Sequence, residues 1–293
     1  MKTILDVFII YRHGLDVMYG PQETEALTLM VLTEILGASK ATIKAFPERE
    51  LSITQQEEAN LILSQLITGR PLQYILGYTE FYGLKFMVNP ATLIPRPETE
   101  ELVEWVLSSV GSGQLALGNL NILDIGTGSG CIAISLKKNL PRAIVSAIDI
   151  SVYALKTAKE NAVLNGVEIN FIEADILNIK SDPDSYRDEI SKSNIIISNP
   201  PYVTLEDKKR MHTNVTDFEP HTALFVPEDD PVIFYKAIAD FALDNLNDKG
   251  LLFFEINESL GAETVALLED KRFKNVELRQ DMSGRDRMVK AER

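Results

Sequence analysis

The feature of this sequence that most constrains its fold is a regular alternation of short apolar runs and helical stretches after residue 120. The apolar runs lie at 121–126, 143–149, 170–175, 194–199 and 250–256, and the helical stretches at 129–139, 151–165, 231–247 and 259–270. This alternation predicts a parallel sheet covered on both faces by crossover helices. Two further runs, 275–281 and 287–292, predict a closing antiparallel hairpin. We therefore expect an α/β fold with a mostly parallel sheet of seven strands.

The first 75 residues predict a small all-helical domain. Pro21 followed by acids is typical of a helix start, and Gly37 of its end. Ser52 and Gln55 have capping-box spacing ahead of an apolar stripe, which predicts a second helix. The apolar run at the amino terminus contains an acid and is followed by no small-residue cleavage site, so it favours a helix over a signal peptide.

Between the helical part and the alternating part lies a short segment of different character. Aromatic residues on both sides of Gly83 predict a β-hairpin, and Pro97 with the acids after it predicts the start of a helix. We thus divide the chain into a helical domain that holds a substrate or partner (1–75), a hairpin connector (76–97) and a ligand-binding domain (98–293).

Composition excludes several classes of function. The formal net charge is -14, so the long-range field repels nucleic-acid phosphates and makes a nucleic-acid partner unfavourable. One cysteine, Cys131, allows no internal disulfide, and with only three histidines we expect no metal site. No apolar run approaches the roughly 20 residues that span a bilayer, so we expect no membrane association and a cytoplasmic location.

The residues Asn199, Pro200, Pro201 and Tyr202, called the Asn199 quartet below, follow directly on a strand predicted to be buried on both faces. Ligands of open α/β sheets bind beyond the carboxyl ends of the strands. Successive prolines remove two backbone donors and leave the Pro200 carbonyl without a local strand partner. That carbonyl and the Asn199 side chain can accept both hydrogens of a flat, neutral NH2 group, which Tyr202 can cover. Taken alone, the quartet favours a tight turn, because Asn-Pro dipeptides commonly start turns.

A second group of polar residues follows the first three predicted strands. Gly126, Gly128 and Gly130 alternate after the first strand, where the backbone can approach a ligand closely. Asp124 precedes this turn and suits a cationic amino-acid group better than a pyrophosphate. Asp149 ends the second strand, where it can accept hydrogen bonds from a ribose diol. A third acid, which could bind an adenine amino group, ends the third strand at Asp175. Three acids around one crevice predict ligand binding.

The glycine loop followed by the Asn199 quartet resembles S-adenosylmethionine-dependent methyltransferases that modify planar exocyclic or amide nitrogens. Further segments narrow the resemblance to the peptide chain release factor glutamine methyltransferases. These segments are Leu93–Glu100, Gly77-Tyr78 with Phe81 and Gly83, Glu219–Leu224, and Asp281–Arg287. The resemblance covers nearly the whole chain and implies a class I, Rossmann-like methyltransferase fold behind a helical amino-terminal domain.

The resemblance also implies roles for particular residues. The cofactor would be S-adenosylmethionine, leaving as S-adenosylhomocysteine, and no metal would take part. Its contacts would come from the glycine loop and from the residues around it, namely Asp124, Gly126, Thr127, Gly128, Ser129, Gly130, Asp149, Asp175, Ile176 and Asn199. Ile176 stands where some members of the family carry an aromatic ring. The Asn199 quartet would bind the substrate, a glutamine in the Gly-Gly-Gln loop of a class-1 translation release factor. Arg96 could orient a carboxylate, bind this partner or pair with a neighbouring acid.

The chemistry expected at the quartet follows from the weakness of an amide nitrogen as a nucleophile. The Asn199 oxygen and the Pro200 carbonyl would accept the two N–H groups and stabilise the positive charge that arrives on nitrogen, while Tyr202 would pack on the amide plane. Adenine-N6 methylation of DNA or RNA is the alternative, because an exocyclic amine has the same NH2 geometry after base flipping. A non-catalytic nucleotide-binding protein is a third possibility.

Overall fold

The structure is a computed structural model that describes residues 1–111, 120–179 and 192–293. The described chain forms two compact units. One comprises Met1–Leu76 together with His212–Phe218, and the other comprises Gly77–Met211 together with Glu219–Arg293. Except for Gly111, which ends a helix, the predicted loop at 111–118 lies outside the described residues, as does nearly all of the polar region 181–193.

The first unit is helical, as predicted. Its helices are α1 (Ile4–Leu36), α2 (Lys40–Ala45), α3 (Ile53–Leu66), α4 (Leu72–Leu76) and the one-turn α9 (Thr213–Thr216), numbered along the whole chain. α1 is broken at Gly20, whose φ of 74° is not helical, so a new helical segment starts at Pro21. The capping box between Ser52 and Gln55 is present at the start of α3. A buried Tyr11 links α1 to α3 by donating its hydroxyl to the Ala59 carbonyl at 2.8 Å.

The second unit contains a hairpin and the predicted seven-stranded sheet. The hairpin strands are β1 (Tyr78–Phe81) and β2 (Leu84–Met87). The sheet strands are β3 (Asn121–Ile125), β4 (Ile144–Asp149), β5 (Asn170–Glu173), β6 (Ser193–Ser198), β7 (Leu246–Glu255), β8 (Lys274–Gln280) and β9 (Asp286–Glu292). Their order is β5-β4-β3-β6-β7-β9-β8. The strands from β5 to β7 are parallel to one another and β8–β9 is the antiparallel hairpin, which confirms the predicted α/β class.

Helices and apolar clusters cover both faces of this sheet. The helices of the unit are α5 (Pro97–Gly111), α6 (Cys131–Asn139), α7 (Val152–Asn165), α8 (Leu205–Lys208), α10 (His221–Leu224), α11 (Ile233–Asn245) and α12 (Gly261–Asp270). Because side chains alternate along a strand, Ile195 and Ile197 of β6 belong to one buried cluster and Ile196 belongs to the other. This two-sided burial explains why the strand sequence is continuously apolar rather than alternating.

The sheet topology fixes where a ligand can bind. β3 lies between β4 and β6, so the chain leaves the carboxyl end of β3 in one direction and later returns on its other side. A crevice opens at such a switch point. Within the described residues, no helix has the length and apolar character that a membrane span requires.

Candidate active site

A cavity of about 400 Å³ lies at the carboxyl ends of the parallel strands, in the second unit. Its walls come from the loops that follow β3, β4, β5 and β6, together with the segment after the hairpin. Residues predicted for the site that line it are Gly126, Gly128, Asp149, Asp175, Ile176, Asn199, Pro200 and Pro201. The crevice expected from the strand order therefore contains most of the predicted groups.

The glycine loop after β3 is shaped by backbone hydrogen bonds to β4. The amides of Gly126 and Thr127 donate to the Ile148 carbonyl at 2.9 and 3.0 Å. Gly126 and Gly128 have φ values of 76° and 56°, and a Cβ added at either would meet no protein atom within 4 Å. The loop thus presents bare backbone to open space inside the cavity, where a ligand can approach it closely.

Gly130 has a different reason to be glycine. It does not line the cavity, and a Cβ there would stand 2.9 Å from Ile134 Cδ1 and 3.1 Å from Ala158 Cβ. The missing side chain lets α6 and α7 pack closely behind the loop. Thr127 and Ser129, also predicted to contact the cofactor, are buried and are not among the lining residues.

Asp124 supports the loop rather than facing the cavity. Its carboxylate is fully buried and accepts hydrogen bonds from the Thr127 hydroxyl at 2.6 Å and from the Ala133 amide at 3.3 Å. Burial raises the pKa of Asp124 to about 7, against the lowering effect of these two hydrogen bonds. Asp124 is not among the lining residues, so the structure does not place it where a ligand's cationic group was expected.

Asp149 ends β4 and fixes the loop from the other side. One carboxylate oxygen accepts from the Gly128 amide and the other from the Ser151 amide, both at 2.8 Å. Burial raises the pKa of Asp149, and these backbone donors act against that rise. Each oxygen keeps a lone pair, so the carboxylate can still accept a hydrogen bond from a ligand in the cavity.

Asp175 and Ile176, which were predicted for the adenine end of the site, both line the cavity. Asp175 accepts from the Leu177 amide at 2.9 Å and from the Asn178 side chain at 2.7 Å. Ile176 lies beside it on the cavity wall.

A segment with no predicted role at the site also closes the cavity. Ala91, Thr92 and Leu93, which follow the β1–β2 hairpin, line its wall. Asn161 of α7, fully buried, holds the hairpin next to the glycine loop. Its side chain accepts from the Met87 amide at 2.6 Å and donates to the Met87 carbonyl at 3.0 Å and the Ser129 carbonyl at 2.9 Å.

Asn199 lines the cavity, and its amide is oriented by a neighbour. Its Nδ2 donates to the Thr99 hydroxyl at 3.1 Å. Among the described residues, no donor bonds to the Asn199 Oδ1 or to the Pro200 carbonyl. Both acceptors are therefore free to accept a hydrogen bond from a ligand, and their binding of an NH2 group stays a prediction.

The Tyr202 hydroxyl is held by a buried acid, and the position of its ring over the substrate amide stays a prediction. Tyr202 is not among the lining residues, and its hydroxyl donates to Glu255 at 3.0 Å. Burial, followed by the negative charge of Glu255, raises the pKa of Tyr202 well above its ordinary value. The phenol thus stays protonated and acts as a donor to a buried carboxylate.

Glu255 is the site residue that sequence reasoning missed. It ends β7, which pairs with β6, so it comes beside the quartet from the neighbouring strand. The residue is 1% exposed and accepts from the Thr99 hydroxyl at 2.6 Å as well as from Tyr202. The sequence did contain a signal for Glu255, because this acid lies inside the apolar run 250–256. A carboxylate buried in such a strand requires hydrogen-bond partners, which predicts polar groups next to it.

Arg96 forms an ion pair, one of the three roles considered for it. Its guanidinium donates to Glu219 at 2.6 Å, and the other oxygen of that buried carboxylate accepts from the Ile94 amide at 3.3 Å. The ion pair joins the segment Leu93–Glu100 to the segment Glu219–Leu224. Arg96 does not line the cavity.

Two family models match parts of this chain. Residues 20–77 match the family described as the PrmC N-terminal domain, and residues 114–217 match the methyltransferase small domain. Among solved structures, a methyltransferase from Pyrococcus furiosus superposes with a TM-score of 0.50 at 14% identity, covering 81% of this chain and 98% of that one. This likeness shows the methyltransferase fold.

Closer relatives extend along almost the whole chain. The release factor glutamine methyltransferase of Flavobacterium psychrophilum is 48% identical over 96% of this chain and 95% of its own length. The protein of the same name from Bacteroides thetaiotaomicron is 40% identical over 96% of this chain and 97% of its own. The chain therefore belongs to the release factor glutamine methyltransferase family.

Proposed function

We propose that this enzyme transfers a methyl group from S-adenosylmethionine to the side-chain amide nitrogen of the glutamine in the Gly-Gly-Gln loop of class-1 translation release factors. The observation that carries the proposal is the pair of unoccupied acceptors, Asn199 Oδ1 and the Pro200 carbonyl, at the edge of a cavity built on a glycine loop. Family membership supports the substrate class.

The cavity fits the proposed cofactor in its chemistry. Gly126 and Gly128 offer bare backbone on the cavity side, where the amino-acid part would lie. Asp149 offers carboxylate lone pairs to a ribose diol, and Asp175 with Ile176 lines the part that would take the adenine. When bound, S-adenosylmethionine supplies an electrophilic methyl group on a positively charged sulfur. The product it leaves is S-adenosylhomocysteine, and we propose no metal.

The protein's contribution to transfer is orientation and charge stabilisation. An amide nitrogen is a poor nucleophile because its lone pair is delocalised into the carbonyl. Asn199 Oδ1 and the Pro200 carbonyl accept its two hydrogens, hold the nitrogen in place and favour a pyramidal geometry. They also lie close to the nitrogen as it becomes positive, and preorganised groups at a developing charge stabilise the transition state. Alignment of two bound reactants can lower the barrier by up to ~7 to 11 kcal/mol, so a strong base is not needed before transfer. The methylated nitrogen is acidic and loses its proton after the methyl group has left sulfur.

The test compares two alanine variants that separate chemistry from cofactor binding. Asn199→Ala should lower turnover by roughly 10²- to 10³-fold while S-adenosylmethionine affinity changes little. Asp149→Ala should mainly weaken cofactor affinity, because it removes both the carboxylate and the support of the Gly128 amide. Turnover is measured with labelled S-adenosylmethionine and affinity by calorimetry. Turnover of Asn199→Ala within a few-fold of the parent would exclude its acceptor role.

The substrate itself is identified by offering the enzyme release factor, free glutamine and oligonucleotides, and locating the methyl group by mass spectrometry. Methylation of the release factor glutamine supports the proposal, and methylation of adenine in an oligonucleotide would replace it with the alternative function. The net charge of -14 disfavours that alternative. We also propose that the helical domain, residues 1–75, holds the release factor. A Gly-Gly-Gln peptide should then react far more slowly than the intact factor.

A further inference from the structure

Four side chains next to the cavity form one continuous hydrogen-bonded series. Asn199 donates to Thr99, Thr99 donates to one oxygen of Glu255, and Tyr202 donates to the other oxygen, at 3.1, 2.6 and 3.0 Å. Thr99 lies in the first turn of α5 and is 2% exposed, and Glu255 is 1% exposed. Little water can therefore compete for these bonds, and the series has to be satisfied by its own members.

The number of hydrogens in the series fixes its direction. A threonine hydroxyl has one hydrogen, and an ionised carboxylate has none. The short contact to Glu255 takes the Thr99 hydrogen, so the Thr99 oxygen can only accept from Asn199. The amide of Asn199 must then place its NH2 group toward Thr99 and its oxygen away from it. Burial raises the pKa of Glu255, while the hydrogen bonds from Thr99 and Tyr202 and the positive charge of Arg287 act against that rise.

We propose that Thr99 and Glu255 are positioning residues that hold the Asn199 amide in the one orientation that presents an acceptor to the substrate nitrogen. The inference rests on the proposed function and adds two residues to it. If the Asn199 amide were rotated, its NH2 group would face the NH2 group of the substrate. The substrate would then lose one of its two acceptors and meet a donor instead. Asn199 cannot choose between these orientations by shape, because its oxygen and nitrogen are nearly the same size.

The first test replaces Thr99 with residues that separate its hydroxyl from its bulk. Thr99→Val keeps the branched shape and removes the hydroxyl, whereas Thr99→Ser keeps the hydroxyl and is the matched control. We expect Thr99→Val to lower kcat by roughly 10- to 100-fold, with KM and S-adenosylmethionine affinity close to the parent, and Thr99→Ser to retain most of kcat. Equal losses in both variants, or a parallel loss of cofactor affinity, would overturn the positioning role.

The second test follows the Asn199 side-chain amide directly and does not depend on a measurement of activity. The side-chain NH2 of Asn199 is assigned in a ¹⁵N spectrum by its absence in Asn199→Ala. It should shift in Thr99→Val and stay in place in Thr99→Ser. An unmoved signal in Thr99→Val would refute the inference even if the enzyme methylates release factors as proposed. Conversely, the shift would support the inference even if the methylated substrate proved to be another NH2 group.

Glu255→Gln provides an independent variant if Thr99→Val does not fold. The new amide can donate to the Thr99 oxygen, which frees the Thr99 hydrogen for Asn199 and removes the constraint on its orientation. We expect a loss of kcat of similar size and the same shift of the Asn199 signal. Wild-type kcat with an unshifted signal would exclude Glu255 from the series.

Discussion

Replacing Gly130 with alanine tests whether the last glycine of the loop is required for the close packing of α6 against α7. Gly130 has a φ of 82°, and its Cβ would meet Ile134 Cδ1 at 2.9 Å, Ala158 Cβ at 3.1 Å and Ala158 Cα at 3.4 Å. The isoleucine tip can rotate away, but the Ala158 atoms belong to or adjoin the α7 backbone. Positive φ costs alanine about 1 kcal/mol. Overpacking between α6 and α7 adds roughly 1 to 3 kcal/mol, so the total loss is roughly 2 to 4 kcal/mol.

Gly166 provides the matched control. It ends α7 with a φ of 65°, and a Cβ there would meet nothing within 4 Å. Gly166→Ala should therefore cost only the backbone strain, about 1 kcal/mol. The difference between the two variants isolates the packing of Gly130 from its backbone conformation.

Urea unfolding followed by tryptophan fluorescence measures this difference. Trp105 is the single tryptophan and is buried in the same unit as Gly130, so its signal reports on the relevant core. Equal destabilisation by the two alanines, or a larger loss in Gly166→Ala, would refute the packing argument. It would also restore the expectation that Gly130 is glycine because a ligand approaches it.

Two further variants test the buried polar groups around the glycine loop. Asn161→Leu leaves the Met87 amide, the Met87 carbonyl and the Ser129 carbonyl without partners, so we expect a loss of at least about 3 kcal/mol in the same urea assay. The half-buried Asn165, whose Nδ2 donates to the Lys85 carbonyl at 2.9 Å, is the control, and Asn165→Ala should cost no more than about 1 kcal/mol. Asp124→Asn tests the raised pKa of about 7. In the unfolded chain Asp124 loses its proton near its ordinary pKa of 3.8, whereas in the folded protein it keeps the proton up to about pH 7. The free energy of unfolding of the parent therefore falls as pH rises from about 4 to about 7. Asparagine cannot ionise, so the variant should gain roughly 2 to 3 kcal/mol relative to the parent between pH 5 and 8, and parallel stability curves would contradict this.

The sheet could be predicted from the sequence because its strands are buried on both faces. Each predicted strand of the sheet overlaps an observed one, and most ends agree within two residues. β7 is the exception, since it starts at Leu246 rather than at the predicted 250. The capping box of α3 could also be predicted from the sequence, because Ser52 and Gln55 are only three residues apart.

The features that could not be predicted are very short helices and contacts between residues that are far apart in sequence. The one-turn helices α8, α9 and α10 have four residues each, which is too few for an apolar periodicity. The Thr99–Glu255 bond joins residues 156 positions apart, and no local pattern specifies such a pair. The Tyr202–Glu255 bond was equally unpredictable, because its two residues are 53 positions apart in sequence.

The hydrogen-bond series gives a physical reason why the separate segments that resemble one family belong together. The Asn199 quartet supplies the acceptors and cannot orient its own amide. Leu93–Glu100 supplies Thr99 for that purpose and is itself fixed through the Arg96 pair with Glu219. Asp281–Arg287 brings Arg287, whose positive charge acts against the rise that burial causes in the pKa of Glu255. Asn-Pro-Pro-Tyr alone is therefore explained by a tight turn, whereas the complete set predicts an Asn199 amide held in a single orientation.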